Sequence, residues 1–224
     1  MTPVRSRSGS TGPRPPRTAA PDLPTLLDAH AGLSPRADVI AAHIEGLRGD
    51  VSAAHGRVAE SRIAGASVGR IDLGGTALSD VAITEIRAAE LSAKDASWRS
   101  VEIDGGRIGT VDALRGSWDA VILRGLRIDY LSLAAAEVAD LLVVDCQIGA
   151  LDLPDARLAR VRFERSRADE VDTRGVRGDD VDLRGLEALS FSDPRGLAGF
   201  WLSPRQAELH APAFAHALGI RIES

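Results

Sequence analysis

From Val58 to Ala188 apolar residues recur at every fifth position, at numbers ending in 3 or 8. Val58, Ile63, Val68, Leu73, Leu78 and Ile83 open the series. Trp98, Ile103, Ile108, Trp118 and Leu123 continue it, and Thr173 and Gly178 alone break it when alanine is counted as apolar. Positions two earlier, ending in 1 or 6, are small or aliphatic throughout, Cys146 among them. Residues 56–190 carry 18 Lys and Arg with 24 Asp and Glu, and none of these 42 charges occupies either phase. Random placement would put about 17 of them there, and burying an unpaired charge costs several kcal/mol, so both phases point into a shared interior. Five is the period of neither a helix nor an alternating strand. It requires a chain that turns a corner every five residues and places two side chains inward on each side.

Flanking segments follow other rules. Residues 1–36 hold seven of the eleven prolines and the arginines Arg5, Arg7, Arg14, Arg17 and Arg36, against Asp22 and Asp28. Such a leader buries too little to offset its ordering entropy and is expected to be disordered. No apolar core follows its arginines, so it does not read as a secretory signal. In 37–55, read as an N-terminal cap, Val39, Ile40, Ile44 and Leu47 fit one face of a short helix that Asp38 would cap. The five-residue phase fails after Ala188. In 191–224, Phe191, Leu197, Phe200, Trp201 and Leu202 bring new bulk to a C-terminal cap. Ser203-Pro204 reads as the N-cap and first position of a helix that is interrupted at Pro212 and ends at Gly219. Ile220 and Ile222 alternate as a last short strand.

Units such as Ile71-Asp72-Leu73-Gly74-Gly75, Leu151-Asp152-Leu153-Pro154-Asp155 and Val181-Asp182-Leu183-Arg184-Gly185 resemble those of the pentapeptide-repeat family, over roughly residues 45–190. The tail, with Gln206, Ala211-Pro212 and Ala217-Leu218-Gly219-Ile220, is similar to the ending of actinobacterial members. The resemblance implies an all-β fold: a right-handed quadrilateral β-helix, or solenoid, with 20 residues per coil and here about seven coils. The chain departs from the family at the earlier inward position, where the family prefers alanine. Ile71, Val81, Leu91, Val101, Val111 and Val121 place a large aliphatic there every ten residues.

A 20-residue coil stacks Trp98 directly on Trp118. Their inward partners two residues back, Ala96 and Gly116, are small enough to leave room at close packing. Cys146 falls in an inward phase between Leu126 and Ser166 of adjacent coils, which predicts a buried, unreactive thiol. As the lone cysteine of 224 residues it cannot form an internal disulfide.

The aromatic fraction of 4% suits such narrow inward slots. A formal charge of −5 excludes a general nucleic-acid binder, whose phosphate contacts need excess Lys and Arg. No apolar run reaches the roughly 18 residues of a membrane span. A cytoplasmic location is expected.

The search for chemistry is nearly empty. His30, His43 and His55 precede the core, and His210 and His216 lie on different helical faces, with no metal-ligand spacing. Gly74-Gly75 and Gly105-Gly106 suit corners and lack the context of a phosphate loop. Asp179, Asp180 and Asp182 are read as solvated carboxylates in preference to a cation site. No catalytic, cofactor-binding or metal residue is assigned, and no enzyme activity is expected.

The outer surface offers more. At 20-residue spacing Arg87, Arg107, Arg127, Gln147 and Arg167 form a mainly basic column, for which cross-coil and corner-to-corner ion pairing is the simplest account and a docking stripe the other. Asp112, Asp152 and Asp172, with Ser92 and Ser132 between them, form another. The leading functional reading is a non-enzymatic scaffold that binds an unidentified protein partner, as a monomer or as a homodimer through the C-terminal cap. The alternative comes from the resemblance, since some pentapeptide-repeat proteins mimic duplex DNA and bind type II topoisomerases such as DNA gyrase. Against it, the charges of the repeat region are mixed in sign, although they net −6. A hidden hydrolase or metal enzyme is the weakest reading, because no nucleophile, base and orienting group come together.

Overall fold

The structure, a computed structural model, describes residues 12–222. Its body is a solenoid of parallel strands in which each residue pairs with the one 20 later. Val81 lies against Val101, Arg87 against Arg107 and Val111 against Leu131. Stacked strands lie about 4.8 Å apart. Each coil has four sides, named here by the central inward residue of one coil: the Trp98, Ile103, Ile108 and Ala113 sides. The inward residues of all four form one continuous core, from Val39 at the lower end to Leu197 at the upper.

The corners explain the five-residue rule. At three of the four corners, the residue two after the inward centre takes a left-handed conformation, as at Asp80 (φ 53°), Glu85 (φ 52°) and Asp95 (φ 55°). All these corner residues in the regular coils have numbers ending in 0 or 5. Asp, Asn and Gly tolerate this region best, which accounts for the many Asp and Gly residues in that phase. The fourth corner, at Glu90, Thr110 and Tyr130, turns without a positive φ.

Inside, Trp98 and Trp118 stack with ring centroids 4.7 Å apart and planes within 4°. Both are about 1% exposed, and neither indole N–H has an acceptor among the described residues. The stack therefore rests on dispersion and apolar burial, against about 1–3 kcal/mol for each unmade hydrogen bond. Gly116 makes room in a different way from that expected. A Cβ added there would meet the carbonyl oxygen of Ala113 at 3.0 Å before any ring atom. Gly106 is tighter still, since its backbone lies against the main chain of Ile86 at φ 125°.

The lower end differs from the sequence-based expectation. Residues 37–55, read as a helical cap, are strands: Asp38–Ile40, Ala42–Glu45 and Arg48–Ser52. They add a full level, so the Trp98 side has eight stacked positions, from Val39 to Gly178, where about seven coils were expected. The physical reason is a missing residue. Val39 pairs with Val58 and Ile44 with Ile63, 19 apart, and the spacing of 20 begins at Val51 and Ile71, after a shift at Gly49. The deletion moves the inward phases by one, so Val39, Ile44 and Leu47 imitate helical spacing. Ile40, assigned to the helix face, points outward.

Residues 12–36, expected to be disordered, are placed along the rod, with a two-residue strand at Asp28–Ala29 against Ala42 and His43. Arg5 and Arg7 lie outside the described residues.

At the upper end, a 3-10 turn at Pro194–Leu197 precedes helix α1 (Pro204–Leu209) and helix α2 (Ala211–Ala217). Ser203 caps α1 in a reciprocal capping box with Gln206. The Gln206 amide then donates to the carbonyls of Leu183 (2.7 Å) and Leu186 (2.6 Å). The Trp201 N–H donates to Val181 and its carbonyl accepts from Leu183. These groups satisfy part of the open ladder of the last coil, which would otherwise present unpaired backbone. The strand expected at Ile220 and Ile222 is not formed.

Because the space at Gly116 is bounded by backbone, Gly116→Leu is expected to destabilise the fold by about 1–3 kcal/mol. A thermal melt followed by circular dichroism reads this as a lower midpoint.

Candidate functional site

Four flat sides and their corners make up the outer surface, so candidate sites are columns of side chains. The Ile108 side carries the basic stripe. Arg87, Arg107 and Arg127 stand in register on three successive coils, followed by Gln147 and Arg167. The structure also supplies what spacing did not reveal. Two residues on, the same side carries Asp129 and Asp169. Arg107 pairs with Asp129 at 3.0 Å, and Arg127 reaches it at 3.9 Å. Arg167 pairs with Asp169 at 3.1 Å. Arg87 has no carboxylate partner among the described residues. A shallow depression beside it is lined by Ser67, Glu85, Gly106 and Gly109.

The Asp and Ser column does structural work. Asp72, Asp112 and Asp172 each accept the backbone N–H two residues ahead, at 3.0 to 3.1 Å. Ser52 and Ser132 do the same at 3.2 and 3.4 Å. Each closes the turn of its corner from its own side chain. Interleaving Ser with Asp also thins the repulsion of a stacked carboxylate column. Tyr130 donates its hydroxyl to Asp152 at 2.5 Å, and that bond, with partial burial, raises the phenol above its ordinary range.

Sequence reasoning expected cross-coil and corner-to-corner ion pairs without naming those that form the corner ladders. Arg115 over Asp95, Arg160 over Asp140 and Arg165 over Asp145 are each 20 residues apart at left-handed corners. Each pair is bidentate, with contacts of 2.6 to 2.8 Å. The guanidinium holds the carboxyl below the usual range in all three. Reading numbers ending in 0 and 5 as columns would have found them. Asp140 differs from the others in being 5% exposed. It also accepts the backbone N–H of Arg17 at 2.8 Å.

Asp179, Asp180 and Asp182, adjacent in sequence, diverge in space. Asp182 pairs with Arg184, Asp180 with Arg14, and Asp179 lines a depression on the Trp98 side. Among the described residues, no three His, Cys, Asp or Glu side chains converge on a point that could hold a metal. Cys146 lies inside, its thiol against the carbonyls of Val144 and Leu123, and burial raises its pKa.

Coils of 20 residues, five-residue sides and paired inward phases together define a four-sided parallel β-solenoid with a five-residue repeat. No family profile and no curated protein matches the sequence. Among solved structures, the chain is similar to three of QnrB1, which is described as a plasmid-mediated fluoroquinolone resistance protein. One trypsin-treated form aligns at 11% identity and TM-score 0.30, covering 89% of this chain and 99% of that one. A second trypsin-treated form aligns at 15% and 0.27, covering 81% and 100%. The full-length form aligns at 13% and 0.26, covering 84% and 99%.

The Asp140 carboxyl titrates lower in the folded chain than in the unfolded one. Its stabilisation is therefore complete above the unfolded value of about 4 and is lost as pH falls through the folded value. Asp140→Asn is expected to cost about 1–2 kcal/mol at pH 7. Melting the variant beside the parent from pH 7 to pH 2.5 should show the gap closing below about pH 4.

Proposed function

We propose that the protein is a non-enzymatic scaffold whose sides bind another protein. The observation that carries this reading is the Ile108 side. It presents three arginines in register on a rigid ladder, one of them, Arg87, without a carboxylate partner among the described residues. Fixed spacing on a stiff support preorganises a surface and lowers the ordering cost of association. The arginines are suited to carboxylate groups on a partner, which they can engage as planar forks. Exposed Leu209, Leu218, Ile220 and Ile222 at the C-terminal end support pairing of two copies as the oligomeric alternative to a monomer. No helix among the described residues is long and apolar enough to cross a membrane, and an intracellular location is part of the proposal.

DNA mimicry at a type II topoisomerase is the second reading, favoured by the net −6 of the repeat region. The corner ladders count against it. Each sets a guanidinium on the carboxylate below, which breaks the continuous negative edge that a duplex presents.

Two assays separate the readings. The scaffold reading predicts that the immobilised chain retains a protein from a lysate of its source in stoichiometric amount. The triple variant Arg87→Glu, Arg107→Glu, Arg127→Glu should lose at least tenfold of that retention. Equal retention by the variant would count against the Ile108 side. In a supercoiling assay with purified gyrase, the scaffold reading predicts no effect at micromolar protein, and dose-dependent inhibition would establish the mimicry reading instead.

A further inference from the structure

The N-terminal arm, residues 12–24, runs along one corner of the rod from top to bottom. Arg14 donates its backbone N–H and its Nε to the Asp180 carboxylate, at 3.0 and 2.5 Å. Three residues on, the Arg17 N–H reaches Asp140. Five further, the Asp22 N–H faces Asp80 at 3.4 Å, and the Asp28 N–H donates to the Ala41 carbonyl at the base. Asp80, Asp140 and Asp180 all belong to the corner whose numbers are multiples of 20.

The spacing is commensurate. Asp180 and Asp140 are two coils apart, about 9.6 Å at 4.8 Å per coil. Three residues of extended, polyproline-like chain cover about 9.3 Å. Asp140 to Asp80 is three coils, about 14.4 Å, and five extended residues cover about 15.5 Å. An extended segment thus keeps step with this edge, three residues to two coils and five residues to three. Pro13, Pro15, Pro16, Pro21 and Pro24 pre-set that conformation and lower the entropy lost on docking. The edge is built for such an occupant. Asp140 is held by Arg160 from the coil above and still offers an oxygen to the arm. On the side that begins at this corner, Ile122 and Leu142 stack in the outer row between Glu102 and Arg162, an apolar flank beside the carboxylates.

We infer that this edge is a docking site for an extended, proline-containing, arginine-bearing protein segment, and that the N-terminal arm is its built-in occupant, displaced when such a partner binds. Recognition is through main-chain N–H groups, one guanidinium and the three-residue spacing, so it tolerates other sequences of that kind. Tethering gives the arm an effective concentration of order millimolar, which masks the edge against weak competitors. The inference deepens the scaffold reading by naming a partner class. Its test uses no lysate, and its failure leaves the Ile108 side as it stands.

The probe is a fluorescein-labelled peptide of residues 12–25, titrated against full-length chains and read by anisotropy. Arg14→Glu sets the arm's own side chain against Asp180 and unmasks the edge. The peptide should bind this variant at least tenfold more tightly than the parent chain. Adding Asp180→Asn to Arg14→Glu should weaken binding at least tenfold, as should raising the salt from 50 mM to 500 mM. Matching near-ultraviolet circular dichroism of the stacked tryptophans confirms that each variant is folded. No binding to Arg14→Glu, equal binding to the parent, or indifference to Asp180→Asn would overturn the inference. A parent dimer that dissociates on Arg14→Glu would also overturn it, by placing the arm on a second copy.

Discussion

One constraint governs the molecule: above the lowest coil, the parallel ladder sets each residue about 4.8 Å beneath the residue 20 places later. Inside, this turns a side chain into a neighbour of its own kind, so Trp98 meets Trp118 face to face and the aliphatics meet aliphatics. Outside, it makes a line of any charge that is repeated from coil to coil. The chain handles that repulsion by two devices. At the corners it alternates Asp with Arg, giving bidentate pairs such as Asp140 with Arg160. In the turn column it interleaves Ser with Asp, and Ser52, Asp72, Asp112, Ser132 and Asp172 each hold their corner's own amide.

These devices differed in how legible they were. The coil was legible because charge is excluded from two phases in five, a signal that survives variation in the apolar residues themselves. The lower coil was hidden by a single missing residue near Gly49, which shifted the phase and made Val39, Ile44 and Leu47 look helical. The upper cap could be read locally, since Ser203, Pro204 and Gln206 carry a capping box within four residues. The basic stripe was legible as a column, and its ion pairing was expected, but the partners were not legible, because Asp129 and Asp169 stand in a different column of the same side. The contacts of the arm left no local trace. Arg14 and Asp180 are 166 residues apart, and only the folded ladder brings Asp180, Asp140 and Asp80 into line.

The surface follows from the same repeat. A stiff rod offers sides and edges in place of a cleft, and its rigidity spares a partner the cost of ordering it. Two surfaces stand out for different reasons. The Ile108 side displays arginines on a fixed pitch. The carboxylate edge accepts an extended chain, because two coils match three residues of polyproline-like backbone. Under the proposed scaffold role, the edge that holds part of the chain and the side that stands clear would be distinct places for distinct partners.

The central claim, that a 20-residue coil is the unit of this fold, is tested most directly in the Arg14→Glu chain, whose arm no longer spans the rod, by inserting a second copy of residues 101–120 after Ala120 and following thermal unfolding by circular dichroism beside the Arg14→Glu parent. The account predicts a folded chain with one cooperative transition at or above the parent midpoint, because the insertion keeps every column in register and adds a third tryptophan to the stack. A chain without a cooperative transition, or one melting well below the parent, would contradict it.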